Sequence, residues 1–133
     1  MPADAPPPEL YTFERLAREA FDRLPEFVKS RCEGVVIAVA EEADPEVLAD
    51  LGMHDALDLT GLYEGVALTD RSESDPVQFP ALVWLYRRAI LAEWQARQNV
   101  SLDHLIGHVL VHEIAHHFGY SDDDIAEIDQ WWL

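Results

Sequence analysis

His112, Glu113 and His116 fall within the run His112-Glu113-Ile114-Ala115-His116, where residue types that bind metals and move protons stand close together. Each residue of an α-helix advances about 100°, so the two histidines lie one turn apart on one face. Both imidazoles then reach one cation, with Glu113 beside them to hold a water on that cation. Metal-assisted hydrolysis of a peptide bond uses these parts: nitrogen ligands, a polarised water and a base to take its proton. Gly119 and Asp122 follow and complete the pattern H-E-x-x-H-x-x-G-x-x-D. At this chain's His and Glu content, H-E-x-x-H alone would arise by chance in on the order of one chain in 40. Requiring Gly and Asp at their places lowers that to about one in 10,000, so the longer pattern carries the reading.

The element that must position these residues runs from Leu102 to Phe118, with Ser101 as its cap. It is apolar nearly all round, through Leu102, Leu105, Ile106, Val109, Leu110, Val111, Ile114, Ala115 and Phe118. A helix of that pattern is buried. Two histidines and a glutamate inside it are costly unless something pairs with them, which a divalent cation does. The alternative is a buried helix whose histidines only hydrogen-bond to carbonyls.

A catalytic zinc keeps three protein ligands and one open position. The stretch from Gly119 to Leu133 is too short to bring back a distant glutamate. Gly119 can take positive φ and turn the chain out of the helix. Asp122 can then fold back towards the two histidines; Asp123, Asp124 and Glu127 are rivals, and spacing favours Asp122. Ser121 and the aspartates also suit the start of a last helix, and both roles hold together.

The stretch Val111 to Asp124 resembles the zincin metallopeptidases, and the short chain resembles the bacterial minimal-zincin family. The similarity extends back through Gly61-Leu62-Tyr63-Glu64-Gly65-Val66-Ala67-Leu68-Thr69 and Leu85-Tyr86-Arg87-Arg88. The resemblance implies a compact α+β fold, a Zn2+ site of His112, His116 and Asp122, and Glu113 as general base acting on a peptide or protein substrate. The H-E-x-x-H-x-x-G portion also resembles the metzincins, but no methionine follows it, so their Met-turn is absent.

Composition agrees with a small enzyme. The 133 residues suit one domain, 9–133, behind a Pro-rich tail, 1–8, expected to be disordered. The single cysteine, Cys32, rules out an internal disulfide and suits a reducing compartment. No signal segment opens the chain and no apolar run approaches spanning length, so a cytoplasmic location is the expectation. The net charge of −17 argues against nucleic acid and anionic membranes as partners; it would also disfavour strongly acidic substrates, but keeping the protein soluble is the expected role of the acidic residues. Oligomeric state is left open.

Stepping outward from the motif, Phe13, Leu16, Ala17, Ala20 and Leu24 recur at helical spacing up to Pro25. Gly34 to Ala40 reads as a buried strand. Asp44-Pro45-Glu46 starts a short helix that ends near Gly52. Gly61 to Thr69 and Ala81 to Tyr86 are strand candidates on either side of a loop, Arg71 to Pro80. Ile90, Leu91 and Trp94 begin another helix in which Glu93 pairs with Arg97, and Asp124 to Trp132 forms the last. The order predicts a small, about three-stranded sheet with helices on one side and the motif on a buried helix.

Of the other histidines, His104 lies well off the metal face and His108 could fall in the second shell or line the cleft, but a satisfied structural histidine is the expectation for both; His117 points away and bonds locally, and none of the three is expected as a ligand. A sheet edge beside the cleft, Val66 to Thr69 or Leu82 to Tyr86, would hold a peptide as an added strand. Tyr86, Arg87 and Tyr120 are weak candidates for an oxyanion donor. The competing reading is a non-catalytic metal-binding or regulatory module, since so short a chain leaves little material for substrate subsites.

Overall fold

The computed structural model describes residues 8–65 and 80–123. The tail up to residue 7, the strand continuation 66–69, the loop 71–79 and the last helix expected from residue 124 lie outside them.

Helix α1 (Leu10–Asp22) buries Phe13, Ala17 and Ala20, the stripe that its apolar spacing requires, and ends before Pro25. A five-residue helix α2 (Glu26–Ser30) follows; it is too short for a periodic pattern to announce it. Then come strand β1 (Val36–Ala40) and helix α3 (Pro45–Asp50). Pro45 occupies the first turn, where its missing N–H costs nothing, but the Asp44 side chain makes no capping hydrogen bond. A 3-10 turn (Ala56–Asp58), capped by Asp55, leads into β2 (Gly61–Glu64). Strand β3 (Leu82–Tyr86) passes directly into helix α4 (Arg87–Arg97), three residues earlier than the apolar spacing suggested. Helix α5 (Leu102–His117) is capped by the Ser101 hydroxyl, which accepts from the His104 N–H.

The sheet is mixed, with spatial order β1-β3-β2. β1 runs parallel to β3 and β2 antiparallel to it. This arrangement revises two expectations. Among the described strands β1 lies at an edge, and its first residue, Val36, is 47 % exposed rather than buried. β3 is the central strand, so its backbone is paired on both sides and Leu82 to Tyr86 cannot accept an added strand. A continuous apolar run cannot tell edge from centre, because neighbours along the sheet lie far away in sequence.

Alternation along the strands divides the interior in two. Val83, Leu85, Ile37, Val39 and Tyr63 face α1 and α5, joining Phe13, Leu105, Ile106 and Leu110. Each large aliphatic side chain buried there contributes roughly 1.5–3 kcal/mol. Tyr86, Trp84, Leu62 and Ala40 face the other way and meet Ala43, Val47, Leu48 and Ala89 in a smaller cluster. The sheet is thus covered on both faces, whereas the element order alone suggested one. No helix among the described residues is long and apolar enough to cross a membrane.

Candidate metal centre

The end of α5 decides the geometry of the motif. Gly119 adopts φ 95° and its N–H donates to the His116 carbonyl at 3.0 Å, while the Tyr120 N–H donates to the Ala115 carbonyl at 3.0 Å. These two bonds form a Schellman closure, which reverses the chain at the one residue type that takes positive φ without strain. The reversal carries Asp122 back over the face of α5 that bears His112 and His116. Asp122 Oδ1 lies 3.1 Å from His116 Nε2 and 3.7 Å from His112 Nε2. One ligand atom from each of the three residues lies within 4.8 Å of the others.

These separations can be tested against a cation. Ligands about 2.0–2.1 Å from a tetrahedral zinc lie roughly 3.3–3.4 Å apart, which the two N···O distances bracket. The donor types, two imidazole nitrogens and a carboxylate oxygen, suit zinc and also other divalent first-row ions. His116 is further prepared: its Nδ1 lies 2.9 Å from the Tyr120 carbonyl oxygen. A carbonyl only accepts, so Nδ1 carries the proton and Nε2 keeps its lone pair free for a metal. Asp123, the described rival for the third position, is exposed and does not join the group. Asp124 and Glu127 lie outside the described residues.

Glu113 is 8 % exposed, yet it lines the same cleft as the three candidate ligands. Burial pushes its carboxyl up to about 7, and the negative charge of Asp122 adds to the shift. Its position depends on Gly61 in β2. A Cβ at Gly61 would lie 2.8 Å from Val109 Cγ1, 3.0 Å from the Trp84 carbonyl oxygen and 3.2 Å from Glu113 Cγ. Only a residue without a side chain lets β2 approach α5 this closely. Sequence reading placed Gly61 in a strand without assigning it this role.

The cleft encloses about 960 Å3, bounded on one side by α5 and on the other by Asp58 to Tyr63. His108 lines it and His104 does not. Neither Tyr86, Arg87 nor Tyr120 lines it. Tyr86 is buried, with its hydroxyl pushed up to about 12 by burial and by Glu64, Asp44 and Glu113. Arg87 donates to the Pro8 carbonyl and pairs with Glu41. His117 does point away from the metal face, but its partners are distant in sequence rather than local: Tyr63 Oη at 2.7 Å and the Arg31 carbonyl at 3.1 Å.

Among the described strands, β2 is the sheet edge that faces the cleft. The Tyr86 N–H donates to the Thr60 carbonyl at 2.9 Å, and the register pairs Leu62 with Trp84. Antiparallel hydrogen-bonded pairs alternate with non-bonded ones, so Gly61 and Tyr63 turn their N–H and C=O away from β3.

A family model described as zincin-like metallopeptidase matches residues 32–132. No curated protein matches the chain.

Proposed function

Since the chain belongs to the zincin-like metallopeptidase family, we propose that it is a zinc-dependent peptidase with His112, His116 and Asp122 as metal ligands and Glu113 as general base. The observation that carries this reading is the return of Asp122 Oδ1 to 3.1 and 3.7 Å from the two Nε2 atoms, beside a buried carboxyl. A divalent cation held there supplies a Lewis acid that acidifies water and polarises the scissile carbonyl. Glu113 accepts the proton of the attacking water and passes it to the leaving amine. In the metal-free cleft, burial raises its carboxyl towards neutrality. The cleft runs beside β2, where the backbone of an extended peptide would lie. His116 keeps its orientation through the Tyr120 carbonyl, so the ligand face does not depend on the substrate.

Metal content of the purified protein, measured by elemental mass spectrometry beside His116→Ala and followed by a peptide-library digest, tests the proposal. About one zinc per chain, lost in the variant, together with cleavage that a chelator stops, is the expected result. Zinc at that stoichiometry without cleavage of any peptide favours a non-catalytic metal-binding module. No zinc, even when it is offered, overturns both.

A further inference from the structure

The cleft has a component that the metal centre does not use. Leu51 is 48 % exposed, Met53 is partly exposed, both line the cleft, and neither joins either core cluster. The end of α3 fixes how they are presented. Leu51 closes the helix, Gly52 takes φ 70°, and the Met53 N–H donates to the Leu48 carbonyl at 2.9 Å. This is the same closure that returns Asp122 at the end of α5, used here to set two apolar side chains at the cleft wall.

The charge of the cleft points in one direction. Asp58 and Glu93 line it together with Glu113 and Asp122, and no Lys or Arg occurs among the described lining residues. A divalent cation offsets the last two carboxylates. Glu93 is partly offset by Arg97 at 3.6 Å, and Asp58 has no ion-pair partner among the described residues.

On the metallopeptidase reading, on which this inference rests, we propose that the cleft selects extended peptide segments carrying an apolar side chain against Leu51 and Met53 and rejects segments with a carboxylate there. An extended segment lying in the cleft presents alternate side chains to opposite sides, so one of them meets the wall that Leu51 and Met53 line. An apolar side chain removes itself and the two exposed wall residues from water. An acidic one must lose its hydration against an apolar wall, beside the like charge of Asp58.

The test uses zinc-loaded Glu113→Gln protein, in which the cleft persists while the base is gone. Binding of fluorescent, otherwise neutral peptides is measured with Leu, Lys or Glu scanned through each position. At one position Leu should bind on the order of tenfold more tightly than Glu, the range that one apolar contact supplies. Met53→Glu should abolish that preference, and Asp58→Lys should relax the rejection of Glu, both with zinc content unchanged. Equal binding of Leu and Glu peptides at every position, tighter binding of Glu, or no peptide binding overturns the selectivity. Digestion of the same peptides by the unsubstituted enzyme is a separate arm: selective binding without cleavage keeps the selectivity and removes the peptidase.

Discussion

Tyr63 Oη lies 2.7 Å from His117 Nδ1, which ties the cleft-edge strand β2 to the last turn of α5, one residue beyond His116. The opposite ring nitrogen of His117, Nε2, lies 3.1 Å from the Arg31 carbonyl, so Nε2 carries the proton and the tyrosine hydroxyl donates to Nδ1. A histidine only 1 % exposed thereby joins three segments that are far apart in sequence. Tyr63→Phe should cost about 1–2 kcal/mol in urea denaturation, the range for removing one partner of a buried hydrogen bond. His117→Leu should cost more, because it loses the Arg31 contact as well. Zinc stoichiometry should be unchanged in Tyr63→Phe; its loss would mean that the hydroxyl serves the metal rather than the strand.

Gly61→Ala should impair the site from the opposite wall. The added carbon meets Val109 at 2.8 Å and the Trp84 carbonyl oxygen at 3.0 Å, and the backbone atom cannot give way cheaply. Overpacking of this kind costs about 1–3 kcal/mol. The nearest catalytic candidate, Glu113 Cγ at 3.2 Å, must move with it. Peptide cleavage should fall by on the order of tenfold or more with zinc retained, since small misplacements of a base are expensive. Unaltered turnover would show that β2 shifts instead of Glu113.

The juxtaposition of His112, His116 and Asp122 was legible because its parts are local. The 100° advance of a helix places His112 and His116 on one face, and a glycine followed three residues later by an aspartate marks a helix end that turns back. Both inferences need only neighbours in the chain. What the sequence did not disclose depends on distant pairing. Nothing near Gly34 to Ala40 says that β1 is an edge, and nothing near Leu82 says that β3 lies between β1 and β2. The partners of His117 are 54 and 86 residues away, so a local bond was the natural expectation and the wrong one. The apolar cleft wall at Leu51 and Met53 escaped for the same reason: an exposed and a half-buried apolar residue at the end of a short helix carry no signal until the cleft is formed around them.

Asp122→Ala should weaken zinc binding by more than about 100-fold, beyond the loss typical of removing a supporting residue around the ligands. Asp123→Ala should have little effect, because Asp123 is exposed and stands apart from the three donor atoms. Competition against a chromogenic chelator measures both. Equal losses would shift the third ligand away from Asp122.

Glu113 should leave a signature in the pH dependence of stability of the metal-free protein. Its carboxyl is pushed from 4.5 up to about 7, chiefly by burial and further by Asp122. A raised carboxyl favours the folded state while protonated. That contribution is fully present below about 4.5, declines as pH rises through 7 and is lost above it. Glu113→Gln, neutral and of similar shape, lacks this dependence. With chelator present, the stability of the variant relative to the unsubstituted protein should therefore rise between pH 4.5 and 8.5. The displacement from 4.5 to about 7 corresponds to a rise on the order of 3 kcal/mol at most. Urea denaturation at the two pH values reads the change, and groups common to both proteins cancel in the difference. Zinc should narrow the gap at pH 8.5, because a nearby cation favours the ionised carboxyl. A difference that stays flat with pH would mean that Glu113 titrates like an exposed glutamate, and the case for a desolvated base in this cleft would fail with it.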